Sequence, residues 1–432
     1  MSGGAPSREE LLIGGAPSGE ELLIVAVEAS ADLHGAAVLR ELKLLRPGLR
    51  AFGAAGPLMR AEGCEALVRA EDLSVMGIAE VIPALPRIFR ALGTLRRAAQ
   101  ERRPRAALLI DSPDFNLRLA RRLRALGVKV VYFIGPSVWA WRTYRVRQIA
   151  RDVARMLVIL PFEAAFYARH GVTATYVGNP LADEIPLPPA RQPGSPMTGP
   201  GVMPSPGALP GPSTAPGAST APPDGQALRR SLGLDPARPV LALLPGSRRQ
   251  EILRLWPPLL GAARLLLARR PGLQLVVPVA PTIDPATLAT GGLSITFVAG
   301  RAPEVLRAAD LAIVASGTAT LEGALAQVPL VVVYRLSWLS WLIGKLLVRV
   351  KFVSLVNLLA GRALVPELLQ RACTSEAIAA QAGPLLDDGA PRDAQLSGLR
   401  ALRQELAPPG APHAARRAAQ ELLQVLELES AR

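Results

Sequence analysis

The chain is short of the residues that build metal and redox centres. Its 432 residues include two cysteines, Cys64 and Cys373, and three histidines, His34, His170 and His413. Neither cysteine has a CxxC or Cys/His neighbour, so no disulfide framework or zinc site is expected. The histidines are too scattered for a His-rich metal centre. Aromatic residues make up 4% and no nucleic-acid recognition module is visible, which argues against a nucleic-acid partner. No run of 18 or more uncharged apolar residues occurs, which argues against a membrane-spanning helix. The opening MSGGAPSREE has neither the basic n-region nor the apolar h-region of a signal peptide. The expectation is a cytoplasmic protein. Walker A and GxGxxG sequences are missing too, so any phosphate is handled outside those two patterns.

What is present is apolar material in quantity. Hydrophobic residues are 50% and charged residues 19%, enough for large cores, and the length suggests two or three globular units. The net charge of +14 rests on arginine, because the lysines are only Lys43, Lys129, Lys345 and Lys351. An excess of Ala, Arg, Pro and Gly is what a GC-rich genome produces, and that accounts for most of the total. Local arginine clusters are then the place to look for an anionic partner such as phosphate or an acidic membrane.

Two segments stand apart. GGAPSREELLI (3–13) and GGAPSGEELLI (14–24) are a tandem duplication, and only the second copy runs on into an apolar strand. Residues 192–224 hold ten prolines in 33 positions, which forbids a packed core or a regular ladder and reads as a solvated linker or surface insertion. The expected organisation is an extension over 1–21, a first domain over 22–190, the linker over 191–226, and a second domain over 227–432 that ends in a terminal helix.

Each half alternates strand and helix. In the first, 22–27 (LLIVAV), 106–110 and 128–133 are apolar runs, and a helix over 115–126 is closed by Gly127. In the second, 240–244, 273–278, 311–315 and 330–333 are apolar, with a helix over 251–268. Apolar strands without alternation, separated by helices, indicate parallel sheets covered on both faces. The expected class is α/β, with two doubly wound domains facing a cleft. Ligands in such sheets bind beyond the strands' carboxyl ends, which points to four turns, at 28–35, 111–116, 245–249 and 316–322.

The turn Ser316-Gly317-Thr318 follows a strand and opens a helix, whose unpaired N–H groups suit a phosphate. Gly317 lets a diphosphate approach the backbone, and Glu322, one turn on, could accept hydrogen bonds from a ribose diol. The competing reading is a plain helix cap with a solvated acid. In LLPGSRRQE, Arg248 and Arg249 could neutralise a diphosphate in place of a metal, or could be surface arginines. In IDSPDFN, Asp111 lies one residue past its strand, where a carboxylate can take the proton of an attacking hydroxyl. Asp114 or Ser112 is expected to cap the following helix, and for Asp114 that reading is preferred to a catalytic one. The pair is DxxD rather than DxD, so it is not read as a metal clamp. Between 334 and 355, Trp338 and Trp341 crowd with leucines beside Lys345 and Arg349. That composition suits a membrane interface or an ordinary buried helix, and its uncharged core is too short to span.

Together these motifs resemble the lipid-A-disaccharide synthase family of two-Rossmann (GT-B) glycosyltransferases. The matching stretches include EASADLHGA (28–36), LSVMGIAEVI (73–82), IDSPDFN (110–116), GPSVWAWR (135–142), LPFEAAFYARHGV (160–172), LLPGSRRQE (243–251), ASGTATLEGAL (315–325) and SLVNLLAGRALVPELLQ (354–370). They cover most of 22–375 in family order, and PSVWAWR with NLLAGR is the specific combination. The resemblance implies a cofactor-free, metal-independent, inverting transfer. It moves 2,3-diacylglucosamine from its UDP-activated form to the 6-hydroxyl of 2,3-diacylglucosamine 1-phosphate, giving a β(1→6) disaccharide and UDP. In that scheme Asp111 is the general base, Arg248 and the 316–318 turn hold the diphosphate, and Glu322 binds ribose. Asn357 and Arg362 contact the nucleotide-sugar, while Glu28, Ser30 and Asp32 line the acceptor side. Acylated substrates also imply peripheral attachment to the inner face of the bacterial inner membrane, through the Trp338, Trp341, Lys345 and Arg349 stretch. A homodimer is left open.

Four positions depart from the family pattern. Val27 and Ala31 replace glycines of the first motif, Asn179 replaces a histidine, and Val356 replaces a proline. The alternatives are another UDP-sugar transferase or epimerase of the same fold, or a membrane-bound nucleotide-sugar sensor without turnover.

Overall fold

In the computed structural model the described residues are 20–73, 78–141, 143–186, 225–281, 283–337 and 351–430. Residues 1–19 of the duplicated N-terminus, the proline-rich stretch and the membrane-interface candidates Trp338, Trp341, Lys345 and Arg349 lie outside them. The chain divides into two compact units, residues 1–180 with 410–432, and residues 181–409.

The first unit is a seven-stranded sheet. Its strands are β1 (Glu21–Val25), β2 (Arg50–Ala55), β3 (Glu65–Arg69), β4 (Ala106–Ile110), β5 (Lys129–Phe133), β6 (Arg155–Val158) and β7 (Ala174–Tyr176), in the order β3-β2-β1-β4-β5-β6-β7. Every pairing is parallel. The connecting helices include α1 (Ala29–Leu45), α2 (Pro57–Ala61), α3 (Ile78–Arg102), α4 (Pro113–Ala125), α5 (Arg145–Asp152) and α6 (Pro161–Ala168). Both faces are covered: Leu23, Leu109 and Tyr132 point into one core, and Ile24, Leu108 and Phe133 into the other. That explains why these strands read as continuous apolar runs.

The second unit begins just inside α7 (Pro180–Glu184) and includes α8 (Gly225–Ser231). Its six strands are β8 (Val240–Leu244), β9 (Gln274–Val279), β10 (Ile295–Ala299), β11 (Leu311–Ala315), β12 (Leu330–Tyr334) and β13 (Glu367–Leu369), in the order β10-β9-β8-β11-β12-β13, all parallel. Its helices are α9 (Arg249–Arg269), α10 (Ala302–Ala308), α11 (Thr318–Leu325), α12 (Leu355–Ala360), α13 (Ser375–Leu386) and α14 (Ala390–Leu406). Each sheet is doubly wound, and its strand order reverses between β1 and β4 or between β8 and β11.

The last helix, α15 (Ala414–Ser430), corrects the sequence reading, which leaves it with the second domain. It packs on α1 in the first unit, with Ala418, Ala419 and Leu422 fully buried among Leu22, Ile24 and Leu108. Arg155 and Thr175 also reach its Glu421. The physical reason is its apolar stripe, which fits the face of the first sheet that α1 leaves uncovered.

Candidate functional site

In doubly wound sheets the ligand crevice lies where the strand order reverses, beyond the strands' carboxyl ends. In the first unit those ends carry Glu28, after β1, and Asp111, after β4. The two loops are joined directly: Ser112 donates its Oγ–H to Glu28 Oε1 at 2.8 Å. Burial, and after it the neighbouring Glu28 charge, raise the Asp111 carboxyl above its ordinary value. A carboxylate made more basic in this way is a better proton acceptor near neutral pH.

The backbone at this point is strained. Asp111 and Ser112 have φ of 51° and 43°, a region that costs a non-glycine residue about 1–2 kcal/mol. The Asp111 carbonyl accepts the Tyr132 hydroxyl at 2.5 Å and Asn116 Nδ2 at 2.8 Å. Asn116 Nδ2 also reaches the Ile110 carbonyl at 3.0 Å, while its buried Oδ1 has no protein partner among the described residues. Burial first, and then the Asp111 charge, hold the Tyr132 phenol far above its usual value, so it remains a donor.

Ser112, rather than Asp114, occupies the cap position of α4, and its side chain turns to Glu28 instead of the helix. Asp114 is exposed and pairs with Arg145. Glu28 and Ser30 are exposed at the start of α1. Asp32 is not available on an acceptor side. It is 2% exposed, and its carboxylate accepts N–H groups from Gly56 (2.8 Å), Leu58 (2.9 Å) and Met59 (3.1 Å), anchoring the start of α2. A Cβ on Gly56 would stand 2.4 Å from that carboxylate, so only glycine fits there.

Sequence reasoning missed Glu163, which is 3% exposed near the start of α6. It accepts the Trp139 indole N–H at 3.0 Å and the Leu160 N–H at 3.1 Å. Burial pushes its carboxyl up to about 7, although these donors act the other way. Proline at the first helical position with glutamate two residues on, directly after a strand, was the available signal.

In the second unit the reversal lies between the loops after β8 and β11. Gly246 has φ of 104°, and a Cβ there would come within 2.8 Å of the Glu251 carboxylate and 3.7 Å of Ala315, so the two loops are neighbours. Arg248 pairs with Glu251 at 3.2 Å with its side chain 82% exposed. Such a pair is worth about 0–1 kcal/mol, so the guanidinium is free to turn to a bound anion. Across the gap, Gly317 and Thr318 are exposed at the start of α11, and the space at the Gly317 Cβ position is open. Ser316 donates its Oγ–H to the Val353 carbonyl at 3.1 Å. Glu322 is half-buried on α11, and burial, followed by the Glu184 charge, raises its carboxyl.

Asn357 departs from its expected role. It is 1% exposed; Nδ2 donates to the Val365 carbonyl and to Glu367 Oε1, both at 2.8 Å, and Oδ1 accepts the N–H groups of Leu364 (2.7 Å) and Val365 (2.8 Å). Its amide is saturated, with nothing left for a sugar nucleotide. Glu367, also missed, accepts from Val353 N, Ser354 N and Ser354 Oγ as well, so it knits the start of α12 to β13. Arg362 is exposed just beyond α12.

The departures are benign for the backbone. Val27 and Ala31 are buried without positive φ, Val356 is in the core, and Asn179 is buried with Nδ2 on the Ile159 carbonyl at 3.2 Å. Glycine is therefore not required at 27 or 31.

The family model described as lipid-A-disaccharide synthetase matches residues 22–196 and 218–420. The chain belongs to this family. Its relatives include the lipid-A-disaccharide synthase of Anaeromyxobacter dehalogenans, 50% identical over 93% of this chain and 96% of that one. That of Myxococcus xanthus is 47% identical at the same coverage, and that of Geobacter sulfurreducens 41% identical over 88% and 92%. Among solved structures the chain is similar to the kitacinnamycin glycotransferase (TM-score 0.57, 18% identity, 95% of this chain and 100% of that one). It is also similar to the Neisseria meningitidis UDP-GlcNAc 2-epimerase (TM-score 0.55, 10% identity, 94% and 100%). At those identities the likeness establishes the two-domain GT-B fold alone. Family membership makes the protein a glycosyltransferase of lipid A disaccharide synthesis, acting on a nucleotide-sugar and a lipid-linked sugar. Among the described residues no helix is long and apolar enough to cross a membrane.

Proposed function

We propose that this chain joins UDP-2,3-diacylglucosamine to 2,3-diacylglucosamine 1-phosphate, with Asp111 as the general base. The acceptor's 6-hydroxyl oxygen attacks the anomeric carbon of the donor, the bond from that carbon to the UDP oxygen breaks, and the hydroxyl proton passes to the Asp111 carboxylate. Attack opposite the leaving group inverts the anomeric centre to β. The observation that carries this is Asp111 at the reversal of the first sheet, with its carboxyl made more basic by burial and by Glu28.

Arg248 and the N–H groups opening α11 receive the negative charge that develops on departing UDP. Glu322, on the same helix, takes the ribose hydroxyls. Glu28 and Ser30 border the acceptor, and Arg362 reaches the donor from beyond α12. Asp32 and Asn357 hold the loops on which these groups stand. Each acyl CH2 buried in a bilayer is worth ~0.8 kcal/mol, so substrates of this kind reside in a membrane, and the enzyme works at the cytoplasmic face of the inner membrane.

The test is mass spectrometry of products formed from the two acyl sugars in detergent, with and without EDTA, by the native chain and by Asp111→Asn. A tetra-acyl disaccharide phosphate made equally well with chelator supports the reading. The Asn variant should lose ~10²-fold or more in turnover while keeping UDP affinity. Unchanged turnover would remove Asp111 from the mechanism.

A further inference from the structure

Asp111 and Ser112 are consecutive non-glycine residues in the left-handed region. L-residues hold that region singly and rarely, and two in succession persist only where the surroundings over-determine them. Here one atom is fixed twice. The Asp111 carbonyl oxygen takes the O–H of Tyr132, which is wholly buried on β5, and the amide of Asn116, equally buried on α4. The same Asn116 amide holds the preceding carbonyl, of Ile110, so two successive peptide planes are set by one side chain.

That arrangement is not the one packing alone would select. Among the described residues Asn116 Oδ1 has no protein hydrogen-bond partner, so the amide is oriented by the two carbonyls its nitrogen holds. A leucine or an alanine would release both carbonyls. Backbone strain and a doubly held carbonyl thus meet at one turn, beside the carboxyl that takes the proton. Rotation of Asp111 out of the left-handed region would redirect its Cα–Cβ bond and carry that carboxyl elsewhere.

We infer that Tyr132 and Asn116 are positioning residues of the transfer: by locking the Asp111 carbonyl they hold the left-handed turn and so aim the Asp111 carboxylate at the acceptor hydroxyl. This rests on the reading of Asp111 as the base. Their hydrogen bonds run to backbone carbonyls rather than to the carboxylate, so their effect falls on its direction. Their loss lowers kcat and leaves substrate binding alone.

The experiment is a double-mutant cycle on the full chain with Tyr132→Phe, Asp111→Asn and the double variant. It reads kcat and KM for both acyl sugars, UDP binding by calorimetry, and thermal unfolding. Phenylalanine keeps the buried ring and removes one hydroxyl. We expect Y132F to lose roughly ten- to hundredfold in kcat, the size of a misaimed catalytic group. KM and UDP affinity should stay within about twofold. In the Asp111→Asn background the same change should have no further effect, because Tyr132 acts through Asp111.

A Y132F enzyme with native kcat overturns the inference and leaves the base reading standing. Equal losses in both backgrounds overturn it as well, since Tyr132 would then act independently of Asp111. If Asp111→Asn keeps native turnover, the base reading fails and this inference fails with it. Should Y132F not fold, Asn116→Ser goes through the same cycle with the same criteria.

Discussion

Glu163 binds a proton more tightly in the folded chain than in the unfolded one, because burial lifts its carboxyl from 4.5 to about 7. Between those values the folded state holds the extra proton, so stability falls as pH rises through the interval and is level above it. The shift corresponds to roughly 3 kcal/mol. In Glu163→Gln this titration is gone, so the stability of the native chain relative to the variant should decline by about that much from pH 4.5 to pH 7.5. Urea unfolding of both proteins at the two pH values reads it directly, and a difference independent of pH would place the carboxyl at its ordinary value. Acids of this kind were hidden in the sequence for a simple reason. Asp111 could be found because it follows a recognisable strand end. Glu163, Tyr132 and Asn116 lie inside apolar or amphipathic runs, and only tertiary packing shows which of them faces a carbonyl or an indole.

Among the elements, strands were the easiest to read. Residues 106–110, 240–244 and 311–315 were delimited from sequence to the residue, since a strand covered on both faces has no polar positions to blur its ends. Helix starts were harder. The helix after Asp111 begins at Pro113, two residues before the expected start, because the left-handed pair turns the chain early. Side chains that cap a distant helix were misread altogether. Asp32, in a motif that looked like an acceptor surface, caps α2 through three N–H groups supplied 24 to 27 residues away. Replacing it with asparagine removes the negative charge from that helix start and turns one acceptor into a donor facing donors. We expect Asp32→Asn to cost about 1–3 kcal/mol of stability with acceptor KM unchanged wherever the variant is folded. A raised KM with native stability would return Asp32 to the acceptor side.

For the whole molecule, the sequence pattern conveyed two doubly wound sheets but not the return of the last helix. Its amphipathic stripe would serve either sheet, and nothing local states which face is left open. Removing residues 410–432 should expose Leu22, Ile24 and Leu108 together with the face of α1, and the truncated chain should accumulate as insoluble protein. Soluble truncated protein with native UDP affinity and a folded first unit would show that α15 is dispensable for that core.

The same topology sets an order of events during synthesis. Residues 181–409 form a continuous stretch, so the second unit can complete its core as soon as that stretch leaves the ribosome. The first unit, begun earlier, stays unfinished until residues 410–432 appear. At roughly 5–20 residues per second, its earliest strands wait on the order of twenty to eighty seconds for the helix that covers them. The half of the enzyme made first is therefore the half completed last, and through that interval its open apolar face is what nascent-chain chaperones would meet.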